Sequence, residues 1–262
     1  MNQRLPRWRA RRTVTTFHDL FVLTSEYSTS EFRTRFTALA RDAAERSDLI
    51  IAVSQFTADQ VCSLLRIEPA RLRVVHHGVH LPSTTPLALD KREPLVLHVG
   101  AIQKRKNTSR LIEAFHAMPH PWRLVLAGSA GYGADEILRN AGDRVEVTGY
   151  VTASELHKLY SRAAIFAFPS LDEGFGIPVL EAMAYGVPVI ASNTSALPEV
   201  CGDAALLVNP ISVDEIAAAL TQLATNRTLA HELARHGKAR AAQFSWAAAV
   251  TRTWNIYNEL SG

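Results

Sequence analysis

The chain has 262 residues, 47% hydrophobic and 20% charged, a balance that suits a globular protein with a buried core and excludes a disordered one. Its length suits two domains of ordinary size, and its net charge of +3 is small. No apolar run approaches the length that crosses a bilayer, and the N terminus lacks the apolar centre of a secretory signal, so a cytoplasmic location is expected.

The charge is unevenly placed. Arg4, Arg7, Arg9, Arg11 and Arg12 crowd the first twelve residues with no acid among them. Such an arm allows peripheral contact with anionic lipid at the inner membrane surface, with Trp8 as interfacial anchor; the plainer alternative is a solvated, frayed terminus. No recognised nucleic-acid module accompanies it, so nucleic acid is not expected as a partner. Cys62 and Cys201 are far apart and lack ligand-like spacing to histidines, so they read as reduced core thiols.

After the arm, residues 13–17 form a β-branched strand ending at His18 and Asp19. These two stand where ligands sit in doubly wound folds, beyond the carboxyl end of a strand. A helix is predicted from Ser30 or Glu31 to Arg46, then a strand over 48–53. Ser54 caps a helix over 55–66, and 71–75 gives a third strand. His76, His77 and His80 invite a metal reading, but no carboxylate or cysteine at ligand spacing completes it, so no metal is expected. Pro82, Pro86 and the hydroxyl residues between them mark a linker, placed at 85–93 between a first domain at 1–84 and a second at 94–243, with a final helix over 244–262.

The second domain opens with a buried strand over 94–100 and a cationic loop, Gln103-Lys104-Arg105-Lys106-Asn107, ahead of a helix over 108–118. Cations at a strand's carboxyl end beside a helix start suit a diphosphate. Strand, helix, strand follow at 123–128, 134–140 and 145–147. Thr152-Ala153-Ser154-Glu155 is a capping box opening a helix to Ser161. Then comes an apolar strand, 164–168, and the stretch Asp172-Glu173-Gly174-Phe175-Gly176-Ile177-Pro178-Val179-Leu180-Glu181.

That stretch reads as a ligand cradle. A helix is predicted from Gly176 or Ile177 through Tyr185, ending at Gly186, with its N–H groups facing an anion. Gly174 and Gly176 admit a phosphate or sugar close to the chain, and Glu181 can accept two hydrogen bonds from a vicinal diol such as ribose. Beyond it lie a strand over 187–190, a loop over 192–199, a second capping box at Ser212 to Glu215, a helix over 229–242 and the closing helix after Phe244-Ser245-Trp246. The alternation predicts an α/β fold with parallel sheets.

Glu173 and Glu181, with Pro169-Ser170-Leu171 before them and Ala182-Met183-Ala184-Tyr185-Gly186-Val187-Pro188 after, resemble the Glu-x7-Glu motif of retaining glycosyltransferases of family 4, which have the GT-B fold of two Rossmann-like domains. The resemblance implies that Glu173 lies beside the donor sugar and Glu181 holds the ribose, while Gly174, Phe175 and Gly176 line the donor. Arg105 and Lys106 match the loop that neutralises the diphosphate, although Ala101 stands where many relatives carry an arginine. Gly149-Tyr150-Val151 falls where relatives contact the nucleobase. His18 and Asp19 match a His-Asp pair on the acceptor side. The partners implied are a nucleoside-diphosphate sugar and a hydroxyl acceptor, with no cofactor and no metal, since no Asp-x-Asp pair is present. The first domain is short for the family, so an N-terminal truncation and a complementing N-terminal chain are expected. The function implied is transfer of a hexosyl group, mannose or similar, in surface polysaccharide or glycolipid assembly. The alternative is a subunit that binds nucleotide-sugar and needs a partner chain for transfer.

Overall fold

The computed structural model describes residues 11–24, 27, 29–131 and 133–260. Arg4, Arg7, Trp8 and Arg9 of the basic arm lie outside these described residues. Of its remaining cations, Arg12 pairs with Asp48 at 3.4 Å. The chain packs as two units. The first takes Met1–Gly78, Glu173–Phe175 and Phe244–Gly262; the second takes Val79–Asp172 and Gly176–Gln243.

In the first unit, β1 (Val14–Phe17), β2 (Leu49–Ala52) and β3 (Leu72–Val74) form a parallel sheet in the order β1-β2-β3, with Val14 opposite Leu49 and Ile50 opposite Leu72. The helices are α1 (Phe21–Thr24), α2 (Ser30–Arg46) and α3 (Gln55–Leu65), with the C-terminal helix Trp246–Glu259 added from the far end of the chain. Side chains alternate across a strand, and β2 shows what that does. Ile50 packs with Phe17, Ala40, Ala43 and Val61 on one face, while Leu49 and Ile51 pack with Val75, Ala249 and Ile256 on the other. Both faces are covered, so β2 is apolar throughout, as a central parallel strand should be. Ser54 caps α3 as expected, accepting from Thr57 N.

In the second unit, nine further elements alternate: β4 (Glu93–Val99), α4 (Thr108–Phe115), β5 (Arg123–Ala127), α5 (Ala134–Leu138), β6 (Val145–Gly149), α6 (Ala153–Arg162), β7 (Ala163–Phe168), α7 (Ile177–Ala184) and β8 (Val189–Ser192). They are followed by α8 (Leu197–Cys201), β9 (Ala205–Val208), α9 (Val213–Thr225) and α10 (Arg227–Ala241); Trp246–Glu259 is then α11. The six strands are parallel in the order β6-β5-β4-β7-β8-β9. This is the doubly wound order whose direction of winding reverses between the first and fourth strands, β4 and β7, and ligands bind in the crevice at such a reversal. Val96, Leu111, Phe115, Leu124, Ile165, Ile190 and Leu220 belong to the core beneath.

The structure departs from the sequence reading at a few boundaries. The expected loop over 192–199 gives way at Leu197 to the short helix α8, which runs on to Cys201, and β9 follows where no strand was expected. Helix α4 stops at Phe115, short of Met118. The second capping box is half formed: Ser212 accepts from Glu215 N, but the Glu215 carboxylate accepts from Asn209 N at 2.8 Å instead of closing on Ser212. The first is complete, with both Thr152 and Glu155 engaged.

Candidate active site

The loops after β4 and β7 flank the reversal point, and they are stitched together. Arg105 is buried and donates through Nη1 to the carbonyl oxygen of Asp172 at 2.6 Å, while Leu171 N donates to Arg105 O at 2.8 Å. Asn107, in the left-handed region at φ 58, spans further: its Nδ2 donates to Pro169 O at 2.9 Å and to Pro210 O at 2.6 Å, tying in the loop after β9. Lys106 Nζ lies 4.7 Å from the centre of the Phe168 ring. The cationic turn is therefore a fixed part of the crevice wall and not a solvated loop. Arg105 has structural duty there in addition to the charge it brings.

Glu181 projects from α7 and is held from behind by Tyr160. The Tyr160 hydroxyl donates to Glu181 Oε2 at 2.8 Å, and its buried ring stacks on Tyr185 at 5.5 Å. Burial raises the Glu181 carboxyl above the ordinary glutamate range, against the opposing pull of the Tyr160 hydrogen bond and of His157 and His80. Gly176 caps α7 at φ 103, and a Cβ there would stand 2.7 Å from Leu197 Cδ2. Only glycine fits that turn.

Glu173, Gly174 and Phe175 pack within the first unit. The carbonyl of Gly174 accepts from Ser54 Oγ at 2.7 Å and from Thr57 Oγ1 at 3.1 Å. A Cβ on Gly174 would come within 1.8 Å of the His18 carbonyl oxygen, so the close approach that demands glycine is made by His18 backbone. Glu173 is buried. His18, beyond β1, faces His77, beyond β3, with Nδ1 and Nε2 3.2 Å apart. Phe175 meets the His77 ring edge-on at 5.2 Å and lies beside His76 and Phe244. His18, Asp19, Glu173, Gly174 and Phe175 thus fall in one unit, and Arg105, Lys106, Gly176 and Glu181 in the other. Among the described residues, no group of three or more His, Cys, Asp or Glu side chains is placed to hold a metal ion. No helix among them is long and apolar enough to cross a membrane.

Tyr160 and the clasp of Ser54 and Thr57 on Gly174 were not found by sequence reasoning, although Ser54 was read as a helix cap. His77 was weighed there only as a metal ligand and Asn107 only as the end of the cationic loop.

Glycosyl transferases group 1 matches residues 84–240, and Glycosyltransferase Family 4 matches residues 2–82. The O-antigen chain mannosyltransferase B of Escherichia coli is 32% identical over 96% of this chain and 71% of its own length. The chain belongs to the glycosyl transferases of group 1 and family 4. The Serotype-specific mannosyltransferase WbdA of Escherichia coli is another relative, 31% identical over 78% of this chain, which spans 28% of that longer protein. Among solved structures, the sucrose-phosphate synthase of Thermosynechococcus elongatus superposes with a TM-score of 0.80 at 26% identity, over 94% of this chain and 67% of that one. The fold of this family 4 glycosyltransferase is GT-B, as its motifs implied.

Proposed function

We propose that this family 4 glycosyltransferase moves a hexosyl group, mannose or a close relative, from a nucleoside-diphosphate sugar to a hydroxyl acceptor in surface polysaccharide or glycolipid assembly. The observation that carries this reading is the match to an O-antigen mannosyltransferase along 96% of the chain. The cationic turn and the half-buried Glu181 at the winding reversal support a nucleotide donor in the second unit.

In this reading, Glu181 accepts from the ribose hydroxyls, and Arg105 and Lys106 offset the charge that grows on the departing diphosphate. The bond from the anomeric carbon to the diphosphate oxygen breaks, its electron pair going to that oxygen. The acceptor hydroxyl oxygen bonds to the anomeric carbon on the same face and gives its proton to the departing phosphate, so configuration is retained. Glu173 acts beside the donor sugar, and His18 and Asp19 on the acceptor side. Gly174, Phe175 and Gly176 shape the turn that receives the donor. The chemistry needs neither metal nor cofactor. For the basic arm from Arg4 to Arg12, contact with anionic lipid and a solvated terminus are the two readings, and sedimentation with vesicles of anionic and neutral composition separates them.

The deciding experiment measures sugar transfer from a panel of UDP-, GDP- and ADP-linked hexoses by the purified chain, alone and with the protein encoded just upstream. Transfer with retention, seen by NMR of the product anomer, is expected. Donor binding without transfer in both arms overturns the enzyme reading, and transfer only with the neighbour identifies a split enzyme. Glu181→Ala should weaken nucleotide binding, while Glu173→Ala should mainly slow transfer; unchanged behaviour of both removes the site assignment.

A further inference from the structure

The histidines beyond β1 and β3 flank the end of the central strand β2, and their side chains meet. The ring planes of His18 and His77 lie 10° apart with centroids 5.2 Å apart, and His18 Nδ1 faces His77 Nε2 at 3.2 Å. Two neutral imidazoles at that distance share one proton, one nitrogen donating its N–H and the other accepting. One of the two nitrogens of His18 is thereby committed, and its chemistry toward any ligand is confined to Nε2.

His77 is held more firmly than a ring at a loop usually is. Phe175 meets it at an interplanar angle of 88°, and Trp246 lies against it with centroids 5.6 Å apart. The chain just after it is pinned: a Cβ at Gly78 would come within 2.2 Å of Trp246 N, so the backbone there runs against the start of α11. The backbone of His18 is fixed too, its carbonyl seated on Gly174. A hydrogen bond between two rings that cannot drift ties their tautomers together, because the state of one nitrogen is set by the bond that the other makes, so whichever tautomer the surroundings of His77 favour is imposed on His18.

We infer that His77 is a positioning residue that fixes the tautomer and ring orientation of His18, so that Nε2 alone is presented to substrate. The inference rests on the reading that His18 works at the site, and it adds a residue that the sequence motifs left out. Burial keeps both rings neutral near physiological pH: it lowers the His18 pKa, and with the neighbouring His18 and His76 it brings that of His77 down to about 4. A neutral pair is the state that such sharing requires.

The test uses the purified chain with imidazole nitrogens labelled, and the variants His77→Gln, which keeps a donor and an acceptor, and His77→Phe, which keeps the bulk and loses both. Nitrogen NMR at neutral pH should show wild-type His18 in one tautomer, with magnetisation passing between its Nδ1 and the Nε2 of His77. In His77→Phe, the His18 shifts should average between tautomers, and His77→Gln should restore a single one. With an active donor, kcat should fall about tenfold in His77→Phe with donor KM changed less than about twofold, and His77→Gln should recover most of the loss. A wild-type His18 that already populates both tautomers, or His18 shifts that are the same in His77→Phe, overturns the inference. If His77→Phe does not fold, the wild-type transfer across the hydrogen bond decides: its absence overturns the inference and its presence supports it. A tautomer that responds to His77 in a protein that transfers no sugar keeps the inference and removes the transferase reading.

Discussion

Tyr160 donates its hydroxyl to Glu181 Oε2 at 2.8 Å from within the core of the second unit. The carboxylate is the costly partner. Its pKa is raised above the ordinary glutamate value, chiefly by burial, so between that value and the raised one the folded state holds a proton that the unfolded state has lost. Stability therefore falls as pH rises through that window, and ionised Glu181 is a strain on the fold at neutral pH. Glu181→Gln should raise stability by about 1 kcal/mol, discounted for partial exposure, while lowering nucleotide affinity about tenfold. Thermal melts and calorimetric titration with a nucleoside diphosphate check the two halves. Tyr160→Phe should act in one direction only: it pushes the carboxyl further up, so binding is lost at a higher pH than in the wild type as the solution is acidified.

Arg105 and Lys106 are neighbours with different duties. Arg105→Ala leaves the Asp172 carbonyl without its guanidinium donor in a buried place, which should cost about 2 kcal/mol in urea unfolding as well as weakening diphosphate binding. Lys106→Ala removes a cation resting on Phe168 and leaves no buried carbonyl named above without its donor, so its stability loss should stay below about 1 kcal/mol. Both should reduce affinity for a nucleoside diphosphate more than for the nucleoside. Equal losses for the two ligands would separate these residues from the phosphates.

The clasp on Gly174 is the tightest spot of the motif. Gly174→Ala drives a methyl into the His18 carbonyl and should cost about 2–3 kcal/mol, with transfer falling alongside. Ser54→Ala loses a helix cap and one donor to Gly174 O together, which should cost about 2 kcal/mol. Denaturant titration of both variants reads these losses. Thr57→Val, which keeps the cap and removes the weaker bond, should cost less than Ser54→Ala.

His77 carries a pH signature for the fold. Its pKa is lowered from 6.5 to about 4, chiefly by burial, so between these values the unfolded chain takes up a proton that the folded chain refuses. The contribution is fully present above 6.5 and is lost as pH falls toward 4, amounting to roughly 1–2 kcal/mol after discount for the exposed part of the ring. In His77→Gln, the stability curve over that range should flatten by this amount.

Much of this was legible because periodicity and caps are local. The β4 loop, the capping box at Thr152 and the helix after Gly176 announce themselves within a few residues, and so do Arg105, Lys106 and Glu181. Strand β9 did not, since four residues, Ala205–Val208, beside Gly202 and Asp203 give too short an apolar run to stand apart from a turn. The supports of the site escaped for another reason: their partners are remote in the chain. Tyr160 lies 21 residues from Glu181, Asn107 lies 62 and 103 from its two carbonyls, and Ser54 lies 120 from Gly174. No spacing rule connects such pairs before the chain has folded. Gly174 was expected for a ligand's approach, and its need for glycine comes from a neighbouring carbonyl that only the tertiary structure brings there.

Three residues of the motif, Glu173–Phe175, belong to the first unit although the chain on both sides of them belongs to the second. Recombination between relatives therefore cannot treat residues 79–243 as a cassette. A graft of that span carries one parent's Gly174 into the other parent's Ser54, Thr57 and His18, and these must be matched for the hybrid to fold. A swap that leaves Glu173–Phe175 with the parent of the first unit keeps the clasp whole.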